Sequence, residues 1–167
     1  MGQKAGLRFK GYIKEHYRDV FEVLALSGNW DRGSYINPTS KLKKLFLSER
    51  YLAFSKNLRS AFIPHGSVVA LSSQWLDENG NPTEGFELDY DSKTGYWKFQ
   101  CELKNYSGTI EKFVEMIPDL CSKVEHLEYL DEDWEESRLY AMGTNKTYVL
   151  KNEVLKEGLL CSDSSQE

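Results

Sequence analysis

The sequence predicts an α+β fold: N-terminal helices packed on a mostly antiparallel sheet of about five strands, with one crossing helix. Three observations predict it. Apolar residues in the first third recur every three or four positions, the spacing of one helical face. After Pro64 the period drops to two, the mark of a half-buried strand. From Thr109 helical spacing returns for one stretch and then yields to a second period-two region. Helices grouped ahead of strands, rather than alternating with them, belong to this layer class.

Phe9, Ile13, Tyr17, Val20 and Leu24 place a helix over residues 8–27, and Gly28 is suited to end it in a left-handed conformation. The loop "NWDRGSYINPTS" follows. Its Asn29, Trp30, Arg32 and Tyr35 fit either recognition or anchoring to the core, and Ser40 can cap the next helix. Leu42, Leu45, Phe46, Leu52, Phe54, Leu58 and Phe62 define helices over 41–47 and 49–61, with Ser48 as a second cap and Pro64 closing the segment.

"SVVALSSQWL", "FELDY" and "YWKFQCEL" then read as strands separated by the turns "DENGNPTEG" and "DSKTG". Trp97, Phe99, Cys101 and Leu103 share the face expected to pack, while Tyr96, Lys98, Gln100 and Glu102 share the other. The crossing helix runs through Ile110, Phe113, Val114, Ile117 and Cys121, with Ser107 or Thr109 as its cap and a kink or restart at Pro118. A strand over 124–130, a turn near Asp131 to Trp134 and a returning strand through Arg138, Tyr140 and Met142 complete a hairpin. "KTYVLKNEVL" adds a short strand or helix, and the tail "CSDSSQE" has too little apolar content to order itself. The organisation is a helical segment over 1–63, an antiparallel α+β segment of the same domain over 64–157, and a disordered tail over 158–167.

A chain of 167 residues that is 40% hydrophobic can bury one good core. No apolar run approaches the ~18 residues a membrane span requires. The opening "MGQKAGLRFKGYIKEHY" lacks the apolar centre of a secretory signal, so a cytoplasmic protein without membrane contact is expected. "MGQKAG" places Gly6 where N-myristoylation requires Ser or Thr. Cys101, Cys121 and Cys161 are odd in number and form no C-x-x-C pair, which reads as reduced thiols rather than a disulfide framework or zinc ribbon. "DYDSKTG" fails as a calcium loop because Lys93 stands at the third ligand position and the glycine comes one residue late. No phosphate-cradling, dinucleotide, nucleophile-elbow or zincin motif occurs, and no cofactor is expected. Cys101 and Cys121 could pair with His16, His65 or His126 only by leaving apolar faces, so they read as core thiols.

Charge is distributed unevenly. Residues 1–63 sum to +7 and residues 64–167 to −12, which together give the net −5. The densest stretch, "EHLEYLDEDWEES", carries seven carboxylates within residues 125–137. Like charges so close must stay in water or meet cations, because any other resolution means raised pKa values. The expected function is therefore a non-enzymatic acidic protein that docks a basic protein partner, in the manner of small inhibitor or immunity proteins that neutralise a toxin. Glu128, Asp131, Glu132, Asp133, Glu135 and Glu136 would supply the field, and Trp134 the apolar anchor.

Two alternatives use other residues. His126 and Glu128, neighbours on one strand face, could centre a metal-dependent enzyme or regulator with Glu102 or Asp89 from adjacent strands. Lys41, Lys43, Lys44, Arg50, Lys56 and Arg59, interleaved with Phe46, Tyr51 and Phe54, could track a nucleic acid, although the acidic remainder of the chain opposes it.

Overall fold

A computed structural model describes residues 4–30, 41–66, 85–143 and 147–150. Strand β1 (Lys4–Ile13) comes first, followed by helices α1 (Glu22–Ser27), α2 (Lys43–Phe46) and α3 (Glu49–Ser55). Strands β2 (Asp89–Tyr90) and β3 (Tyr96–Lys104) lead into helix α4 (Thr109–Leu120) and then strands β4 (Cys121–Asp131), β5 (Arg138–Met142) and β6 (Thr147–Leu150). The six strands form one antiparallel-paired sheet in the order β2-β3-β1-β4-β5-β6, an α+β fold.

β1 is the main departure from the sequence reading, because the first part of the helix expected over 8–27 is the central strand of the sheet. Phe9 and Ile13 are four apart and so fit both periods. What decides is that Ala5, Leu7, Phe9 and Ile13 are all 0% exposed on one face, while Arg8, Lys10 and Tyr12 alternate onto the other. Only Glu22–Ser27 of the expected helix forms, ended as predicted by Gly28 at φ 72°, whose N–H donates to the Leu24 carbonyl.

Because β3 and β4 both pair antiparallel with β1, they run parallel to each other with β1 between them, and α4 makes the crossing. β3, α4 and β4 thus form a split β-α-β unit around β1. A bulge between Lys10 and Gly11 bends β1 against β4. Gly11 permits the approach: a Cβ there would lie 2.6 Å from the Phe9 ring and 2.8 Å from the Lys123 carbonyl.

The helices cover the face carrying Phe9, Trp97, Phe99, Cys101, Leu103, Leu127 and Tyr129, each 2% exposed or less. Phe113 of α4 meets Phe9 and Phe99 at ring distances of 6.3 and 6.0 Å, and Phe21 meets Trp97 edge-on at 5.2 Å. Trp30, weighed above between recognition and anchoring, is 1% exposed and donates its indole N–H to the Ile63 carbonyl at 2.7 Å. It belongs to the core. Arg32, Tyr35 and Ser40 lie outside the described residues, as do the strand expected over 67–76, Cys161 and the tail.

Local signals account for some of the helix ends. Ser48 caps α3 by accepting from the Tyr51 N–H at 3.3 Å, and its hydroxyl donates to Asp119 of α4 at 2.6 Å. Neither Ser107 nor Thr109 caps α4; Asn105 does, its Oδ1 accepting from the Ile110 N–H at 2.8 Å. Pro118 lies inside α4 without ending it. Lacking an N–H, Pro118 cannot donate to the Val114 carbonyl, and the Thr147 hydroxyl of β6 donates to that oxygen instead at 3.1 Å. Cys121, expected on the helix, opens β4. Of "FELDY" only Asp89–Tyr90 pairs as strand.

Candidate functional site

Register places the polar side chains. Gln100, Arg8 and Glu128 form one row across β3, β1 and β4, and Lys98, Lys10 and His126 form the next. Both rows project from the face opposite the aromatic core. Arg8 donates from Nε to Gln100 Oε1 at 2.9 Å, and its Nη1 lies 3.5 Å from Glu128 Oε1. His126 Nε2 is 2.8 Å from the same oxygen, and the Ser137 hydroxyl donates to Glu128 Oε2. The Phe86 ring closes the cluster, with the Arg8 guanidinium at 4.7 Å, the Lys10 ammonium at 4.2 Å and the His126 ring at 5.1 Å.

Burial alone would raise the Glu128 pKa. Hydrogen bonds from His126 and Ser137, with the charges of His126 and Arg8, outweigh it and hold this carboxyl below its ordinary value. His126 and Glu128 are therefore same-face neighbours, as the sequence indicated, and both Glu128 oxygens are engaged inside the fold. Glu102 stands in the Gly6 row and Asp89 opposite Lys98, away from the Glu128 row. Among the described residues no group of three or more His, Cys, Asp or Glu is placed to hold a metal ion. Arg8, Gln100, Ser137 and Phe86 completed the cluster unannounced by the sequence. Assigning β1 as a strand would have revealed the first two, since the register then sets them side by side.

The buried thiols fit no catalytic role. Cys101 and Cys121 are 2% and 1% exposed, and burial pushes both pKa values up, so they remain protonated. His16 is exposed, and His65 Nε2 lies 2.7 Å from the Ser27 carbonyl.

The acidic stretch divides into an inner and an outer set. Glu128 is held as described, and Asp131, 6% exposed, organises the turn: its Oδ1 accepts from the Asp133 N–H and its carbonyl from the Trp134 N–H, both at 2.9 Å. Glu132 exchanges backbone and side-chain contacts with Lys4, its N–H donating to the Lys4 carbonyl at 3.0 Å and its Oε2 accepting from the Lys4 N–H at 3.0 Å. Glu132, Asp133, Glu135 and Glu136 all face solvent. Trp134 between them is half-buried, its ring centroid 4.7 Å from that of Tyr129 and 3.9 Å from the Arg138 guanidinium carbon.

The stacking surface expected on the basic helices does not exist, because Phe46, Tyr51 and Phe54 are 1%, 0% and 0% exposed. At helical spacing these rings turned to the core. Two of the associated cations are also engaged, Lys41 with Asp19 at 2.7 Å and Arg50 with Asp119 at 3.7 Å.

Fold and site together define a two-layer α+β domain with a polar, ion-paired outer sheet face and an anchored acidic turn at one end of the sheet. Comparison with protein-family models, with curated proteins and with solved structures returns no match. Among the described residues no helix is long and apolar enough to cross a membrane.

Proposed function

We infer that the turn between β4 and β5 is the docking surface for a basic protein partner, and that the protein acts as a non-enzymatic binder of the inhibitor or immunity type. The observation that carries this reading is the exposure of Glu132, Asp133, Glu135 and Glu136 on one turn that is itself fastened to the fold. A fixed turn loses little conformational entropy on binding. Four closely spaced carboxylates raise the encounter rate with a cationic surface and repel acidic competitors. Trp134, with part of its ring at the surface, offers the apolar contact that charge alone does not provide. Glu128 and Asp131 act as supports beneath the turn.

The metal-dependent alternative at His126 and Glu128 has less behind it, since the ion pairs and hydrogen bonds of Glu128 already account for the cluster. A toxin as partner, inhibited by occlusion of its cationic site, fits the same chemistry.

The test compares the wild-type chain with a variant in which Glu132, Glu135 and Glu136 become Gln and Asp133 becomes Asn. Both serve as bait for proteins of the source cells, and the captured partner is then purified and its association rate measured across salt concentrations. The expected result is a basic partner whose association slows about tenfold or more with the variant at low salt, the difference shrinking as salt rises. Equal rates at low salt, or an acidic partner, would overturn the assignment. Assay of the partner's own activity with and without this protein then tests the inhibitory role.

A further inference from the structure

A cleft of about 430 Å³ lies between the segment after α3 and the turn that enters α4. Its walls carry Lys56, Arg59 and Lys112, and among the described residues no carboxylate lines it. In a chain of net charge −5 such a concentration of cations stands out. Glu111, the nearest acidic residue in sequence, accepts from Asn105 at 2.9 Å and from the Tyr129 hydroxyl at 2.8 Å.

The cleft is a built structure. Asn57 ties its two walls together: its side-chain N–H₂ donates to the Tyr106 and Ser107 carbonyls at 3.2 and 3.4 Å, and its Oδ1 accepts from the Thr109 hydroxyl at 2.7 Å and the Arg59 N–H at 2.9 Å. The Arg59 guanidinium carbon lies over the Tyr106 ring at 4.6 Å and over the Phe62 ring at 5.5 Å, two contacts that restrict where this side chain can go. Lys112 donates to the Ser107 carbonyl at 2.9 Å and has two further N–H donors. Leu58, 91% exposed, and the Tyr106 ring add apolar surface beside the cations.

We propose that this cleft binds a small organic phosphate, the phosphate held by Lys56, Arg59 and Lys112 and the organic body resting on Leu58 and Tyr106. A phosphomonoester carries about −1.5 to −2 charge at neutral pH and offers three strong acceptor oxygens, which suits three cations better than a carboxylate does. The volume is at the small end of the ~300–1,000 Å³ range of ligand clefts, the scale of a mononucleotide rather than of a polymer. The cleft follows the carboxyl end of β3, beside the turn that enters α4. This site is separate from the acidic turn, and neither proposal depends on the other.

The test is a titration of the full-length ¹⁵N-labelled chain with AMP, inorganic phosphate and, as the phosphate-free control, adenosine, followed by amide shifts. AMP and phosphate are expected to shift the amides of Asn57, Ser107 and Lys112 saturably, and adenosine to leave them in place. Lys56→Gln and Lys112→Gln should each weaken AMP binding about tenfold, the worth of one charge-assisted hydrogen bond. Arg59→Gln is expected to do the same, but its ring contacts make the two lysine variants the decisive ones. Several results would overturn the proposal: no saturable shift with AMP or phosphate, an equal response to adenosine, unchanged affinity in both lysine variants, or a single-stranded oligonucleotide binding the cleft more tightly than AMP.

Discussion

Arg8 is the residue on which the outer face of the sheet depends most, and replacing it with Met tests the account of that face. The substitution keeps the apolar stem and removes the guanidinium, which is buried, donates to Gln100 at 2.9 Å, lies 3.5 Å from Glu128 and sits 4.7 Å from the Phe86 ring. A hydrogen bond from a charged donor contributes about 1.5–3 kcal/mol, and a desolvated cation–π contact about 2 kcal/mol. Removing one partner of a buried ion pair costs about 3–5 kcal/mol when the other is stranded. Here Glu128 keeps His126 and Ser137, so the total falls toward the low end, about 3 kcal/mol, the contributions being shared rather than additive. Urea unfolding at neutral pH measures it as a lower midpoint with an unchanged slope.

The same variant carries a pH signature whose sign follows from Glu128. Its folded pKa lies below the ordinary value of 4.5, so its interactions stabilise the protein above that value and are lost as pH falls through the folded pKa. The charged and titratable neighbours facing it are Arg8 from β1, with Lys10 in the next row, and His126 from β4 itself. Without Arg8 one of the influences lowering that pKa disappears. The stability gap between wild type and Arg8→Met is therefore widest at neutral pH and narrows as pH drops below about 4.5. A loss under about 1 kcal/mol, or a gap that stays constant through the acid range, would refute this description of the face.

Other parts of the fold answer to simpler changes. Gly28→Ala should cost about 2 kcal/mol or more, because φ is 72° and the new Cβ would lie 2.5 Å from the Ile63 carbonyl; a thermal melt within a degree or so of wild type would contradict it. Thr147→Val should cost about 1 kcal/mol by taking the donor from the Val114 carbonyl, read out as faster amide exchange at the end of α4. Ser48→Ala should cost about 1–2 kcal/mol through the lost cap and the lost bond to Asp119, and a double-mutant cycle with Asp119→Ala should show coupling. Glu135→Gln should leave stability within about 0.5 kcal/mol, since an exposed carboxylate contributes little to the folded state; a large loss would make it a structural rather than a docking residue.

Legibility in the sequence tracked how local the determining physics was. The Gly28 stop and the Ser48 cap were readable because one residue's conformation or hydroxyl decides each. The alternation from Trp97 to Leu103 was readable because one face is packed throughout. β1 was misread because its partners on both sides, β3 and β4, lie more than eighty residues away in sequence, and because Gly11 on the packed face and Tyr12 on the outer face interrupt the period-two pattern. That single error hid the sheet order and with it the row of Gln100, Arg8 and Glu128. Asn105 as the cap of α4 was hidden by a different cause: Ser107, in a left-handed conformation at φ 56°, and Thr109, facing Asn57, were the conventional choices displaced by tertiary contacts.

With the strand order known, two features far apart in the sequence come to one end of the molecule. β3 ends at Lys104 opposite Lys4, and β4 ends at Asp131 opposite Ala5, so the turn into α4 and the turn into β5 leave the sheet side by side across the start of β1. Tyr129 joins them: its ring packs on Trp134 of the acidic turn, while its hydroxyl accepts from Asn105 and donates to Glu111, both at 2.8 Å, at the entrance of α4. Burial and the Glu111 carboxylate raise the Tyr129 pKa, so the hydroxyl keeps its proton and its role as donor throughout the neutral range. The split β-α-β arrangement thus sets an anionic turn and a cationic cleft at the carboxyl ends of the two strands that flank β1, with Tyr129 bridging the acidic turn and the entrance of α4. β1 makes that possible, because its register with β3 and β4 fixes where both turns emerge.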